Sequence, residues 1–192
     1  LEEGQSLHAA FNMLGLTALP WKKLDDAFDR ILIGEEEFSF MQGYESFREN
    51  LQLYFPHEQE ALQQYVQLLK QTEQTQLELL NPESASAPLA LFETGAWQYL
   101  TQTFHNSMLV NVLSATSLKM ELRKETLPLF TFLHGNASFI ESSWRLKGPG
   151  SLIAGSLIQD IREQGGEIIC RAKVEEPVSY THLRAHETGR NL

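Results

Sequence analysis

Leu7, Phe11 and Leu14 recur at helical spacing behind Ser6, a residue type suited to capping a helix, and Gly15 follows where a left-handed cap would sit. This predicts a short helix. Residues 28–33 and 37–41 are rich in Phe and Ile and are separated by Gly34, Glu35 and Glu36, which predicts two strands joined by a short turn. Phe47, Leu51 and Tyr54 then step by four and three, a helical stripe that Pro56 interrupts. Ala61, Leu62, Tyr65, Leu68 and Leu69 line one face of a further helix that runs from about residue 57 into the seventies, with Gln and Glu opposite.

Residues 81–88, Asn-Pro-Glu-Ser-Ala-Ser-Ala-Pro, read as a surface loop because two prolines and small polar residues block helix and central strand alike. Beyond them, Trp97, Leu100, Phe104, Met108, Leu109, Val112 and Leu113 continue one helical pattern to about Leu118. Residues 127–144 are helical again, with Gly135 as a break. Gly148-Pro149-Gly150 makes a turn, Ser151 can cap, and Leu152, Ile153, Leu157, Ile158 and Ile161 give an amphipathic helix ending at Gly165-Gly166. A strand over residues 167–174 follows. The sum is an α+β fold, mostly helical with a few strands, without internal repeats.

The chain has 192 residues, with 15 Lys and Arg against 25 Asp and Glu, a formal net charge of −10. That balance argues against a nucleic-acid binder, which needs clustered cations to displace phosphate counterions. With 42% hydrophobic and 21% charged residues the composition is that of a folded globular chain. The single Cys170 cannot form an internal disulfide, and a cytoplasmic setting is the simpler expectation. The longest apolar stretches, such as residues 127–133, fall far short of the roughly 20 residues a membrane-spanning helix needs. The chain opens on Leu1 with no basic segment before an apolar one, so no signal peptide is read and the start reads as truncated.

Several motifs invite a chemical reading. Gly148-Pro149-Gly150 before a helix mimics a dinucleotide-binding turn, but the third glycine of that motif would fall at Ile153, and the residues before the turn do not read as a strand. Gly150 to Ser156 mimics a phosphate-binding loop but lacks its lysine, since Gly155 runs directly into Ser156. His182 and His186 stand four apart as zinc ligands on a helix do, yet Leu183 occupies the place of the glutamate a zinc protease needs, so no metal is expected. Asp25, Asp26, Asp29 and the run 35–37 read as a solvated face rather than an acid–base pair. Cys170, beside Ile168 and Ile169, reads as a buried inert thiol. The stripe Phe92, Trp97, Phe104, Met108, Phe130, Phe132 and Phe139 reads as core, with a pocket for an apolar ligand as the lesser alternative.

The run Gly148-Pro-Gly150-Ser-Leu, the helix after it, Gly165-Gly166-Glu-Ile and Val174-Glu resemble the middle of the FAD-dependent phytoene desaturase, carotenoid isomerase and retinol saturase family. Residues 1–16, 28–41, 44–56 and 103–113 follow in that family's order, so the resemblance covers about residues 1–176. It implies a fragment of an α/β FAD-dependent oxidoreductase, with residues 1–143 a substrate-side helical and strand region. Residues 144–176 would be the turn, helix and strand that return to the FAD-binding domain. The resemblance further implies that the Val174 backbone meets the adenine end of FAD. That is chemically reasonable, since a strand-edge amide and carbonyl can read a base without any particular side chain.

The family's glycine-rich pyrophosphate-binding start and its C-terminal flavin segment are not in the sequence, so the chain is expected to be inactive alone, and no catalytic acid or base is named. The implied partner is an apolar isoprenoid-like small molecule, with peripheral contact to a membrane for substrate access. The residues leave open an amine-oxidase-like flavoenzyme and a noncatalytic helical interaction module. Residues 177–192 resemble translated sequencing-adapter read-through and are expected to be a non-native tail that adds nothing to the fold.

Overall fold

The computed structural model describes residues 1–79 and 89–173. The architecture is α+β. Helix α1 (Ser6–Met13) is followed by Gly15 in the left-handed region and a short 3-10 turn (Leu16–Ala18). Strand β1 (Trp21–Lys23) comes next, then β2 (Ala27–Ile33) and β3 (Glu36–Met41), joined through the two-residue turn Gly34-Glu35. Helices α2 (Tyr44–Tyr54) and α3 (Gln59–Leu79) are separated by a 3-10 turn beginning at Pro56. After the short α4 (Leu89–Glu93) come α5 (Ala96–Thr103), α6 (Ser107–Ser114), a 3-10 turn (Ala115–Lys119), α7 (Leu129–Glu141), β4 (Trp144–Leu146) and α8 (Ser151–Glu163).

Helix α7 is the centre of the body. Its Leu129, Phe132, Leu133, Ala137 and Ile140 are all buried, and the helix packs against α2, α3, α4 and α5. On α3 the buried stripe is Leu62, Tyr65, Val66 and Leu69, the 3.6-residue period that removes one face of a helix from water. The β2–β3 hairpin closes one side, because Phe38 and Phe40 alternate inward from β3 and meet Phe47 and Phe55 of the α2 region. The Phe40 and Phe47 rings meet edge to face at 5.1 Å.

Five expectations change. The single pattern from Trp97 to Leu118 is two helices and a 3-10 turn. The chain breaks at the extended Phe104, after which the Asn106 side chain accepts from the Met108 and Leu109 amides at 2.9 and 3.2 Å and starts α6. Buried Glu58 seals the junction by accepting from the His105 and Asn106 amides at 2.8 and 2.5 Å. Gly135 does not break α7. It makes room for Met120, whose methyl would collide with a Cβ placed there. Residues 167–173 form no strand and are largely exposed, so Cys170 is an exposed thiol rather than a buried one. Trp144–Leu146, expected to end a helix, is a strand.

That strand forms the second sheet of the fold, an antiparallel ribbon of β1 and β4 in the register Trp21↔Leu146, Lys22↔Arg145 and Lys23↔Trp144. The ribbon sits where the chain enters and leaves the helical body. Around it gather α1, whose Phe11 meets Trp21 edge to face at 5.3 Å, and α8, whose Asp160 approaches Gly15. Neither α1 nor α8 contributes a buried hydrophobic residue.

Candidate functional site

Helices α3 and α7 carry their apolar stripes toward each other, and near one end of that contact each stripe is interrupted by a glutamate. Glu73 lies four residues beyond Leu69, and Glu141 four residues beyond Ala137. Their carboxyl groups share a hydrogen bond, and the Tyr44 hydroxyl donates to Glu73 Oε2 at 2.5 Å. Two carboxyl groups in hydrogen-bond contact need a proton between them. Partial burial, then the hydrogen bond and the charge of Glu73, push the Glu141 carboxyl up to about 8. Burial and the Glu73 carboxylate likewise push the Tyr44 hydroxyl above its ordinary value, so it remains a donor.

Glu73 and Glu141 border a cavity of about 130 Å³ lined also by Gln5, Leu7, His134, Ser138 and Ser142. Ser142 donates to Gln5 Oε1 at 2.7 Å and accepts from Trp144 Nε1 at 3.1 Å. The His134 ring stacks on Phe130 at 5.9 Å, and Phe130 on Phe92 at 4.4 Å. A glutamate that retains its proton near neutrality can donate to, or exchange a proton with, a group in this cavity. The signal in the sequence was a charged residue on each inward stripe, where an apolar one belongs.

The carboxylates that the sequence singled out lie elsewhere. Asp29 pairs with Lys119 at 2.7 Å, Glu37 lies 3.5 Å from Arg30, and Asp25, Asp26, Glu35 and Glu36 are exposed, so they form a solvated face. The aromatic stripe divides. Phe104 and Phe132 are buried, Trp97 and Met108 pack against the core, and Phe92 and Phe139 are exposed. The aromatic and aliphatic side chains of residues 127–144 are therefore mostly core rather than an exposed patch. Trp97 and Phe104 also line a cleft of about 250 Å³ between α5 and α6.

The residues around Gly148-Pro149-Gly150 bear on FAD. A strand, β4, does precede the turn, contrary to the sequence reading, and Gly148 takes φ +138°, a conformation L side chains rarely adopt. The strand nevertheless pairs antiparallel. The Leu152 and Ile153 amides at the start of α8 donate to Pro149 and Gly150 carbonyls rather than pointing at a phosphate. The described residues thus do not fit a dinucleotide pyrophosphate. Val174, the position matched to the adenine contact, lies outside the described residues, as do the loop at 81–88, His182, His186 and the tail. Among the described residues no cluster of three or more His, Cys, Asp or Glu side chains could hold a metal ion, and no helix is long and apolar enough to cross a membrane.

No protein-family profile and no solved structure matches the chain. It is similar to the all-trans-retinol 13,14-reductase of Danio rerio, with 27% identity over 177 residues that cover 81% of this chain. The match spans only 29% of the length of that reductase.

Proposed function

We propose that the chain is the substrate-side portion of a flavin-dependent oxidoreductase that saturates, desaturates or isomerises C=C bonds of an apolar isoprenoid. The observation that carries this reading is the similarity to a retinol reductase along most of the chain. FAD is the cofactor the reading calls for. Its pyrophosphate would be held by other parts of a longer protein, with the Val174 backbone at the adenine end. This portion alone would be inactive. Glu141 is a carboxyl group that can hold a proton near neutral pH, and Tyr44 and Glu73 fix its position. The setting is cytoplasmic, with peripheral contact to a membrane through which an apolar substrate arrives.

The complete reading frame, expressed and purified, is the test. Bound flavin seen by its absorbance, together with conversion of an all-trans polyene alcohol, is the expected result, and a complete protein that carries no flavin overturns the reading. One observation favours a second reading, a noncatalytic helical interaction module: the body closes its own core around α7 without help from another domain. A complete frame lacking any strand, glycine-rich turn and helix for a dinucleotide would favour it.

A further inference from the structure

The carboxyl cavity is built from two pieces of chain. Glu73, His134, Ser138 and Glu141 form its wall on the helical body, and Leu1, Gln5 and Leu7 cover it from the segment that carries α1. The cover is held by polar contacts near its first residues. The Leu1 amine donates to Gln5 Oε1 at 2.9 Å and to Ser142 Oγ at 3.1 Å, and Ser142 donates to Gln5 Oε1 at 2.7 Å. Hydrophobic burial adds little, since Leu7 is 43% exposed and no hydrophobic residue of α1 joins the core. Glu2 pairs with Lys23 of the ribbon, but both side chains are nearly half exposed, and such pairs contribute little.

The far end of α1 is anchored. Phe11 meets the Trp21 ring, Gly15 turns the chain in the left-handed region at φ +67°, and Leu16 beyond it is buried, its carbonyl accepting from Trp21 Nε1 at 2.8 Å. A rotation at Gly15 therefore moves Leu1, Gln5 and Leu7 furthest and leaves Leu16 in place. We propose that residues 1–13 are a lid over the carboxyl cavity, latched at Ser142 and hinged at Gly15, and that its opening exposes Glu73 and Glu141 to solvent. Closed, the lid limits the passage of water, and with it of protons, between the carboxyl pair and the bulk. What the lid controls in a reaction rests on the proposed function, in which Glu141 holds a proton, whereas the motion itself is read without flavin. A complete protein carrying no flavin would end the oxidoreductase reading and leave the lid standing, and a static lid would do the reverse.

The test applies hydrogen exchange and carbodiimide labelling of carboxyl groups, both followed by mass spectrometry, to the 192-residue chain and two variants. Ser142→Ala removes the latch from the body, and Gln5→Met keeps the length of the lid side chain while removing its acceptor. A detached helix of 8 residues is marginal in water, so opening registers as exchange within α1. Each variant should speed that exchange by about fivefold, the factor that one net hydrogen bond gives, and raise labelling of Glu141 in proportion. Exchange in the buried turn of α7 around Phe132 and Leu133, and labelling of the exposed Glu49, should stay as they are. Should Ser142→Ala not fold, Gln5→Met carries the test by itself. Unaltered exchange in α1, an equal rise around Phe132 and Leu133, or constant labelling of Glu141 while α1 opens would each overturn the proposal.

Discussion

The Tyr44 hydroxyl reaches across 29 residues of sequence to Glu73 Oε2 at 2.5 Å, fastening the first turn of α2 to the second half of α3. Glu73 in turn holds Glu141 of α7, so three helices meet at one hydrogen-bonded chain of acids. Replacing Tyr44 by Phe keeps the ring and removes the donor. It should cost about 1–3 kcal/mol in urea unfolding, the range for leaving a partly buried charged acceptor short of a partner.

Glu141 makes stability depend on pH in an unusual direction for a carboxyl. Its proton is held more tightly in the folded chain, up to about 8, than at the ordinary glutamate value of 4.5. The stabilisation is therefore complete below about 4.5 and drains away as pH rises through about 8. Groups facing Glu141 include Glu73, Glu2 and the Leu1 amine, the last opposing the rise. Glu141→Gln should flatten this segment of the profile, as measured by thermal midpoints across the interval. A profile unchanged by the substitution would assign the slope to another group.

Glu58 has a different role. Its buried carboxylate satisfies the amides of His105 and Asn106 ahead of α6, and Glu58→Ala leaves both without that acceptor. A loss of about 3 kcal/mol is expected in denaturant unfolding.

Core and surface leucine or phenylalanine positions should separate cleanly. Phe132 of α7 is fully buried, and Phe132→Ala should destabilise by about 3–5 kcal/mol through lost burial and the cavity left behind. Leu122 is 83% exposed, and Leu122→Ser should change stability by no more than about 0.5 kcal/mol.

Residues 167–173 should exchange amide hydrogens rapidly, because they join no sheet and their side chains are largely exposed. Hydrogen exchange followed by mass spectrometry is the measurement, and protection comparable to that of α7 would contradict this arrangement.

Elements that bury a face within the chain were legible in the sequence. The Phe47, Leu51 and Tyr54 stripe corresponds to α2 and the Leu62, Tyr65 and Leu69 stripe to α3, whereas α8 follows its aliphatic spacing without burying a residue and has Gly150 rather than Ser151 at its cap. The hairpin from Ala27 to Met41 was visible for the same reason, since its Phe and Ile residues flank a glycine turn. What escaped was set by contacts distant in sequence. Trp144 becomes a strand residue through Lys23, and the break at Phe104 is completed by Glu58, 47 residues away from His105. The aliphatic run at Ile168 and Ile169 has the composition of a strand but no neighbour to pair with among the described residues, and composition alone does not supply hydrogen-bond partners. The Glu73 and Glu141 pair was hidden because each residue was read on its own helix, whereas its chemistry arises only where the two helices touch.

The ribbon of β1 and β4 makes the helical body a cassette. Trp21 and Leu146 are cross-strand partners, so the points of entry and exit are separated by only the width of a strand pair, about 5 Å. A body attached in this way could be spliced between two adjacent residues of a surface loop in an unrelated host without stretching either. Its leads are an antiparallel pair with 120 residues between Lys23 and Trp144, and the segment at α1 adds a second attachment, since the Leu1 amine donates to Ser142 Oγ and Ser142 donates to Gln5 Oε1 at the end of the body.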